Sequence, residues 1–283
     1  MSQLTSKTTV TEALLLRRVP FSESDLVVTL YARDQGKLVS LARGARRSRR
    51  RFGAALSPFV VGEAALRERV ASDLVLLERF DARRDYSLVA VSIAGMAHAS
   101  YATELVEELS VPNQADPAVF DLLVELYQTV LETGPKPAVL RAFELRLLEA
   151  IGFRPSLDRC VGCGAGEEAI GRAVVLVDSV AGGVLCARCS SRRIPSASFG
   201  PIPLAVWQAL LDLQNVRSLA AAAQAPLRPD EIARGAREVT GSLLGCHLRR
   251  PLKSLQFIHK LKVERVHRNE IGAVESPCLP AGQ

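Results

Sequence analysis

Two Cys-x-x-Cys pairs constrain this chain more than any other feature. Cys160 and Cys163 stand in Cys160-Val-Gly-Cys163-Gly164, and Cys186 and Cys189 in Cys186-Ala-Arg-Cys189, with 22 residues between the pairs. A two-residue spacer lets two thiolates of one turn converge on one ion, and two such turns supply the four sulfurs of a tetrahedral zinc site. The gap is slightly longer than the usual window, and a small hairpin fills it. An apolar run at Ala173 to Val177 is followed by a turn at Gly182-Gly183, and Val184-Leu185 leads into the second pair. Four thiolates leave no open coordination position, so the expected cofactor is one structural Zn2+ per chain, not a catalytic one. A redox Cys-x-x-Cys is the rival, but that motif usually comes singly and opens a helix beside a strand.

With four cysteines assigned to a metal, the rest of the fold must stand on its core. The chain has 283 residues, 48% hydrophobic and 23% charged, enough for two or three domains without disulfides. Met1 to Thr11 are polar, with no apolar signal core, and no run reaches eighteen uncharged apolar residues. The expectation is a cytoplasmic, nucleoid-associated protein with no membrane contact, in a compartment where thiolates persist. Cys246 reads as a core thiol in a helical run. Cys278 lies in a Pro/Gly-bearing tail expected to be disordered.

Charge is distributed unevenly. Residues 1–85 carry 16 Lys+Arg against 10 Asp+Glu, whereas residues 86–151 carry three basic and nine acidic residues. Residues 249–268 carry seven basic residues against the single Glu264. Two basic segments thus flank an acidic middle, a separation that favours a polyanionic partner.

The hydrophobic period changes near residue 85. Before it, Ala13–Val19, Leu26–Tyr31, Lys37–Arg43, Ser57–Ala65 and Leu74–Phe80 read as strands with turn signals between them. Five short strands in so little chain suggest a small barrel of OB type, with an SH3-like barrel a close competitor. After it, Val89, Ile93, Met96, Ala97, Tyr101, Leu105 and Leu109 recur at helical spacing. Asp116-Pro117 opens a second helix to Thr133, and a third runs from Lys136 to Ile151. Beyond the cysteines, Pro201 to about Val216, Pro229–Cys246 and Pro251–Val266 read as helices. Leu219 to Gln224 is either a helix extension or a linker. The expected class is α+β: an N-terminal OB-like β-barrel at 1–84, then a helical domain in two parts, 85–155 and 200–268. A zinc-binding insertion at 156–199 separates those parts, and a tail occupies 269–283.

The second strong feature is the loop Gly44-Ala-Arg-Arg-Ser-Arg-Arg-Arg-Phe-Gly53. Arg43, Arg46, Arg47, Arg49, Arg50 and Arg51 fall within nine residues. Six guanidinium groups so close cannot share a core; they need solvent or a polyanion, and phosphate matches their planar donor fork. Lys37, Arg33, Arg17 and Arg18 are placed to widen this footprint, and Arg249, Arg250 and Lys253 to extend it from the C-terminal side. Phe52 is a candidate base-stacking ring, although one Phe beside a glycine is more often local packing.

Nothing in the sequence points to catalysis. There is no Walker loop and no helical His-Glu-x-x-His, and His98, His247, His259 and His267 all fall on helical segments. From these features alone, a DNA-binding protein competes with a zinc-ribbon accessory factor of transcription or translation whose barrel binds RNA.

Several stretches resemble the RecO family of bacterial DNA repair proteins, in order over about residues 1–265. Glu12-Ala-Leu-Leu-Leu-Arg-Arg-Val-Pro-Phe-Ser-Glu-Ser-Asp25 is similar to the family's opening strand. Leu30-Tyr-Ala-Arg-Asp-Gln-Gly-Lys37 with Ala42-Arg-Gly-Ala-Arg-Arg47 resembles its barrel signature. Arg141-Ala-Phe-Glu-Leu-Arg-Leu-Leu148 with Ile151-Gly152 is similar to the helix before the zinc segment, and His247-Leu-Arg-Arg-Pro-Leu-Lys-Ser254 to a motif near the C-terminus. The dense arginine loop and the tail after about residue 268 depart from the family. The resemblance implies binding of single- and double-stranded DNA, annealing of complementary strands, and work with RecR to load recombinase on DNA coated by single-strand-binding protein, SSB. It also implies binding of the SSB C-terminal tail on the helical body, with Arg141 meeting the terminal carboxylate and Tyr101 and Leu145 lining an apolar pocket.

Overall fold

The computed structural model describes residues 8–48, 50–52, 56–69, 72–170, 174–192, 199–225 and 227–256. The first five strands are β1 (Thr8–Pro20), β2 (Leu26–Ala32), β3 (Gly36–Ala42), β4 (Val60–Arg69) and β5 (Ser72–Asp85). They close into a barrel in the order β1-β2-β3-β5-β4. Every pairing is antiparallel except β3 with β5, a short parallel contact at Ser40–Val75 and Leu41–Leu76 that completes the closure. Alternation explains the interior: Ala13 and Leu15 of β1, Val28, Leu30 and Ala32 of β2, and Leu77 of β5 point inward. Phe52, Leu56 and Phe80 fill the same core.

A 3₁₀ turn at Ser87–Val91 leads into the helices α1 (Ile93–Leu109), α2 (Pro117–Thr133) and α3 (Pro137–Ala150). Each start has a local cause. The Ser92 hydroxyl accepts from the Gly95 amide and the Asp116 carboxylate from the Ala118 and Val119 amides; Pro117 and Pro137 occupy first-turn positions where no amide is needed.

The cysteine segment contributes the short helix α4 (Glu167–Ile170), strands β6 (Val174–Asp178) and β7 (Gly183–Leu185), and the turn-length α5 (Ala187–Ser190). A strand that the sequence reading placed at a helix start, β8 (Phe199–Pro203), pairs with β6 and completes a three-stranded sheet. Pro201 and Pro203 suggest a helix start, but β8 is an edge strand, where proline is tolerated. The chain then returns to the body as α6 (Leu204–Gln214), α7 (Leu219–Ala222) and α8 (Asp230–Gly245). Trp207 donates its indole N–H to the Leu157 carbonyl at 2.8 Å and Gln214 its amide to the Pro155 carbonyl at 2.8 Å, tying α6 to the strand-bearing insertion.

Barrel and body meet in a packed seam. Phe59 and Tyr86 lie against Tyr127 with ring centroids 5.4 and 5.9 Å away. The Tyr31 hydroxyl donates to the Asp116 carbonyl, and the Asn113 amide to the Lys37 carbonyl. Gly36 makes this approach possible. At φ +72° it takes a left-handed turn, and a Cβ there would sit 1.9 Å from the Gln114 carbonyl oxygen.

Cys246 differs from expectation: it is exposed, because α8 ends at Gly245 and the thiol falls at the cap position as the chain turns away. The tail at 269–283, with Cys278, lies outside the described residues, as do Lys260, Lys262, Arg265 and Arg268.

Candidate nucleic-acid interface and metal centre

The four predicted cysteines converge. Their sulfurs all lie within 4.8 Å of one another, and the Sγ atoms of Cys163 and Cys186 are 3.7 Å apart. A tetrahedral site with Zn–S bonds of about 2.3 Å has sulfur–sulfur edges of roughly 3.8 Å, so the spacing suits a metal. The first pair sits on a tight turn in which the Gly164 amide donates to the Cys160 carbonyl at 2.8 Å. Gly162 is needed there, since a Cβ would meet the Cys189 sulfur at 3.1 Å and Leu185 at 3.3 Å. The second pair opens α5, with the Cys189 amide donating to the Cys186 carbonyl.

Backbone dipoles prepare the sulfurs to lose protons. Burial pushes the Cys160 thiol up, but the amides of Cys186, Gly162 and Cys163 outweigh it and bring its pKa down to about 6. The Ala165 amide lowers Cys163, whereas Cys189, hydrogen-bonded to the Cys163 sulfur, is held up. Four sulfurs competing for few protons suit a cation at their centre. Cys160 and Cys186 are buried under the β6–β7 hairpin, so the cluster is built into the fold of the insertion.

The arginine loop projects from the barrel between β3 and β4. Arg43, Arg46, Arg47, Arg50 and Arg51 are all exposed, and Arg49 lies outside the described residues. Its described start is nevertheless tied to the β1–β2 turn beside it. Asp25 accepts from the Gly44 amide at 2.8 Å, which holds its carboxyl below the usual range, and the Arg46 amide donates to the Ser24 carbonyl at 3.0 Å. Arg51 turns back to the Arg43 carbonyl at 2.7 Å, and Arg47 makes a wide, solvated pair with Glu23 at 3.5 Å. Phe52 corrects the sequence reading. It is 2% exposed in the barrel core, with the Arg51 guanidinium 5.1 Å from its centroid, and offers no face to a base. The exposed ring beside the loop is instead Phe21, which sequence reasoning passed over; its signal was an aromatic residue in a hairpin turn.

Lys37, Arg17, Arg33 and Arg250 have protein partners. Lys37 is half-buried and donates through Nζ to the Glu107 carbonyl at 2.5 Å; burial lowers its pKa, against the pull of Glu107 and Glu108. Arg17 pairs with Glu107 at 2.8 Å, and Arg33 grips Asp121 through two bonds of 2.6 and 2.7 Å. Arg250 forks onto Glu108, and the Glu104 carboxylate caps the turn that follows by accepting from the Lys253 and Ser254 amides at 2.9 and 2.8 Å. Arg249 is exposed. A groove of about 480 Å³ opens here between β1 and α1, and its lining mixes Arg17 and Lys253 with Glu104 and Glu107.

Arg141, Tyr101 and Leu145 lie in the core of the helical body, at 5, 3 and 1% exposure. Arg141 donates to Glu144 at 2.7 Å and to the Thr240 hydroxyl at 3.1 Å, and Tyr101 donates to the same Glu144 oxygen at 2.7 Å. The second Glu144 oxygen is buried with no hydrogen-bond partner, and burial pushes this carboxyl up.

A closed barrel with an exposed basic loop is thus joined to a helical body that carries a four-thiol cluster. The family described as Recombination protein O N terminal matches residues 6–85, and Recombination protein O C terminal matches residues 91–256. A DNA repair protein RecO from Anaeromyxobacter sp. (strain K) is 42% identical over 249 residues, covering 88% of this chain and 94% of its own. Those from Geobacter sulfurreducens and Myxococcus xanthus are 34% and 35% identical, covering 88% and 89% of this chain and 97% and 98% of theirs. The chain belongs to the RecO family, and its field of action is DNA repair and recombination. Among the described residues no helix is long and apolar enough to cross a membrane.

Proposed function

We propose that this chain is a non-enzymatic recombination mediator. It binds single- and double-stranded DNA, anneals complementary strands, and with RecR helps load recombinase on SSB-coated DNA in the cytoplasm. One observation carries the reading: exposed arginines stand on a loop that Asp25 and Ser24 hold in place, on a family member whose field is DNA repair. Annealing needs two strands held close without base-specific contacts, and an ordered arginine surface screens the phosphate repulsion between them. We read the barrel as OB-type, supported by its strand order and the parallel β3–β5 closure. Lys37, Arg249, Arg250 and Lys253 form a second basic edge that extends the DNA path, weakened by Glu104, Glu107 and Glu108. The four thiolates hold one Zn2+ that fixes the insertion and takes no part in DNA chemistry.

The SSB tail is assigned to the helical body around Arg141, Tyr101 and Leu145. Because Arg141 is engaged by Glu144, this assignment requires the tail's terminal carboxylate to replace the Glu144 carboxylate on the guanidinium, one charge-assisted contact for another. The test pairs strand annealing, with and without SSB and without ATP, with anisotropy of a labelled SSB-tail peptide. Annealing should persist on coated strands, and Arg141→Ala should weaken tail binding while naked-DNA annealing stays intact. No annealing by the folded chain would overturn the mediator reading; unchanged tail binding would move the pocket elsewhere.

A further inference from the structure

Phe21 is 66% exposed at the tip of the β1–β2 turn. Among the described residues it has no aromatic or cation contact, whereas the other strongly exposed phenylalanine, Phe153, is stacked on His247 at 4.1 Å. The turn beneath it is fixed. The Phe21 amide donates to the Asp25 carbonyl at 3.1 Å, and the Ser22 hydroxyl accepts from the Ser24 and Asp25 amides at 3.3 and 3.1 Å. The same turn holds the arginine loop, through Asp25 to Gly44 and Ser24 to Arg46, and the Arg46 guanidinium reaches the Ser22 carbonyl at 3.4 Å. A solvent-facing ring on a hydrogen-bonded turn therefore stands one residue from the carbonyl that the exposed Arg46 guanidinium reaches.

We propose that Phe21 stacks on a base of single-stranded DNA whose phosphates lie on the arginine loop. This rests on the DNA-binding reading above and adds a strand preference to it. Phosphate contacts alone treat single and double strands alike apart from charge density. In a duplex both faces of each base are covered by neighbours, while an unpaired base has a face free for a ring. Phenylalanine carries no hydrogen-bonding group, so the contact is tolerant of sequence. Stacking also uses the face of the base and leaves its pairing edge open, as annealing requires. Glu23, paired loosely with Arg47, borders the site.

Phe21→Ala and Phe21→Trp test the idea in the full-length chain, with circular dichroism as the folding control. Phe21→Ala should lower oligo(dT) affinity roughly 5- to 100-fold, the range base–aromatic stacking supplies, with the salt slope unchanged and duplex affinity within about twofold. Phe21→Trp should retain affinity, and its emission should be quenched on titration with oligo(dT). The single native tryptophan, Trp207, is 3% exposed in α6 of the helical body, with its indole N–H bonded to Leu157, so it serves as a constant background. Equal losses for single strand and duplex, a silent Phe21→Ala, or an unmoved emission would overturn the stacking role. If Phe21→Ala is silent while loop Arg→Ala variants lose affinity, stacking alone fails; if those variants are silent too, the DNA reading of the loop fails with it.

Discussion

The two basic stretches of this protein are alike in sequence and opposite in structure. At the 43–51 loop, neutral backbone contacts and one carboxylate, Asp25, hold the chain so that guanidinium groups face outward. At 249–253, α1 meets the stretch with carboxylates: Glu108 binds the Arg250 guanidinium and Glu104 caps the backbone turn at Lys253, while Glu107 pairs with Arg17 on the neighbouring β1. Clustered arginine is therefore not a measure of available charge. What matters is whether a carboxylate already stands where a phosphate would.

The largest effect should come from the loop. Arg46, Arg47 and Arg50 replaced together by Ala should flatten the salt dependence of single-strand binding by about 0.7 per lost contact. At about 0.15 M salt that amounts to roughly 4-fold each, or about 50-fold together. Anisotropy across a salt series reads both numbers, and an unchanged slope would make the loop mere solvated surface. Charge reversal at Arg249 and Arg250 should cost less, about 5-fold, because Arg250 must first leave Glu108. A loss equal to that of the loop would erase the contrast.

Releasing the tie tests the same point from the other side. Glu108→Gln should raise DNA affinity about 2- to 4-fold by freeing Arg250, and lower stability by up to about 1 kcal/mol, as for an exposed ion pair. The hydrogen bond from Arg250, against a smaller burial effect, holds the Glu108 carboxyl below its ordinary 4.5. A depressed folded pKa means the stabilisation is complete above about pH 4.5 and is lost as pH falls through the lower folded value. Glu107 runs the other way: burial, against Arg17 and Lys37, raises its carboxyl, so it contributes a loss of stability as pH rises past 4.5. Urea titrations of wild type and variant should therefore differ at pH 7 and converge in acid. A difference that persists once acid has protonated Glu108 in the folded protein would remove the ion pair as its cause.

The smallest effect on DNA should follow metal loss. Cys163→Ser, or chelation under reducing conditions, should loosen the insertion and expose Trp207 to solvent, yet change DNA affinity less than about twofold, because the loop is held by the barrel. Elemental analysis should give one zinc per chain; a metal-free native protein would remove the assignment.

The cysteine site was legible because four thiols at this spacing have few other uses. All five barrel strands were legible from apolar runs and alternation, Leu26–Tyr31 and Lys37–Arg43 to within a residue, but β1 begins five residues before Ala13 and β5 runs five past Phe80. Ser57–Ala65 is displaced: β4 begins at Val60, after Phe59 turns left-handed at φ 65°, and runs on to Arg69. The parallel β3–β5 closure was not legible, since no local signal names a partner so far along the chain. Nor was β8, whose prolines suit a helix start and an edge strand equally. Arg250 and Glu108 are 142 residues apart, so the sequence showed both charges without their pairing. Phe52 and Phe21 show the same limit. Both lie near arginines, and only the fold determines which ring is inside.

Gly36 has a consequence for the DNA-binding proposal. The Gln114 carbonyl occupies the space where any other side chain would begin, and Tyr31, Lys37 and Arg33 fasten the same edge to Asp116, Asn113 and Asp121. A joint so crowded has no slack for a hinge. The separation between the open loop and the Arg250 edge is thus a fixed length, and on the DNA-binding reading proposed above the protein is a stiff template: a strand that spans both would adopt the protein's contour, and any bend needed for pairing would be imposed on the nucleic acid.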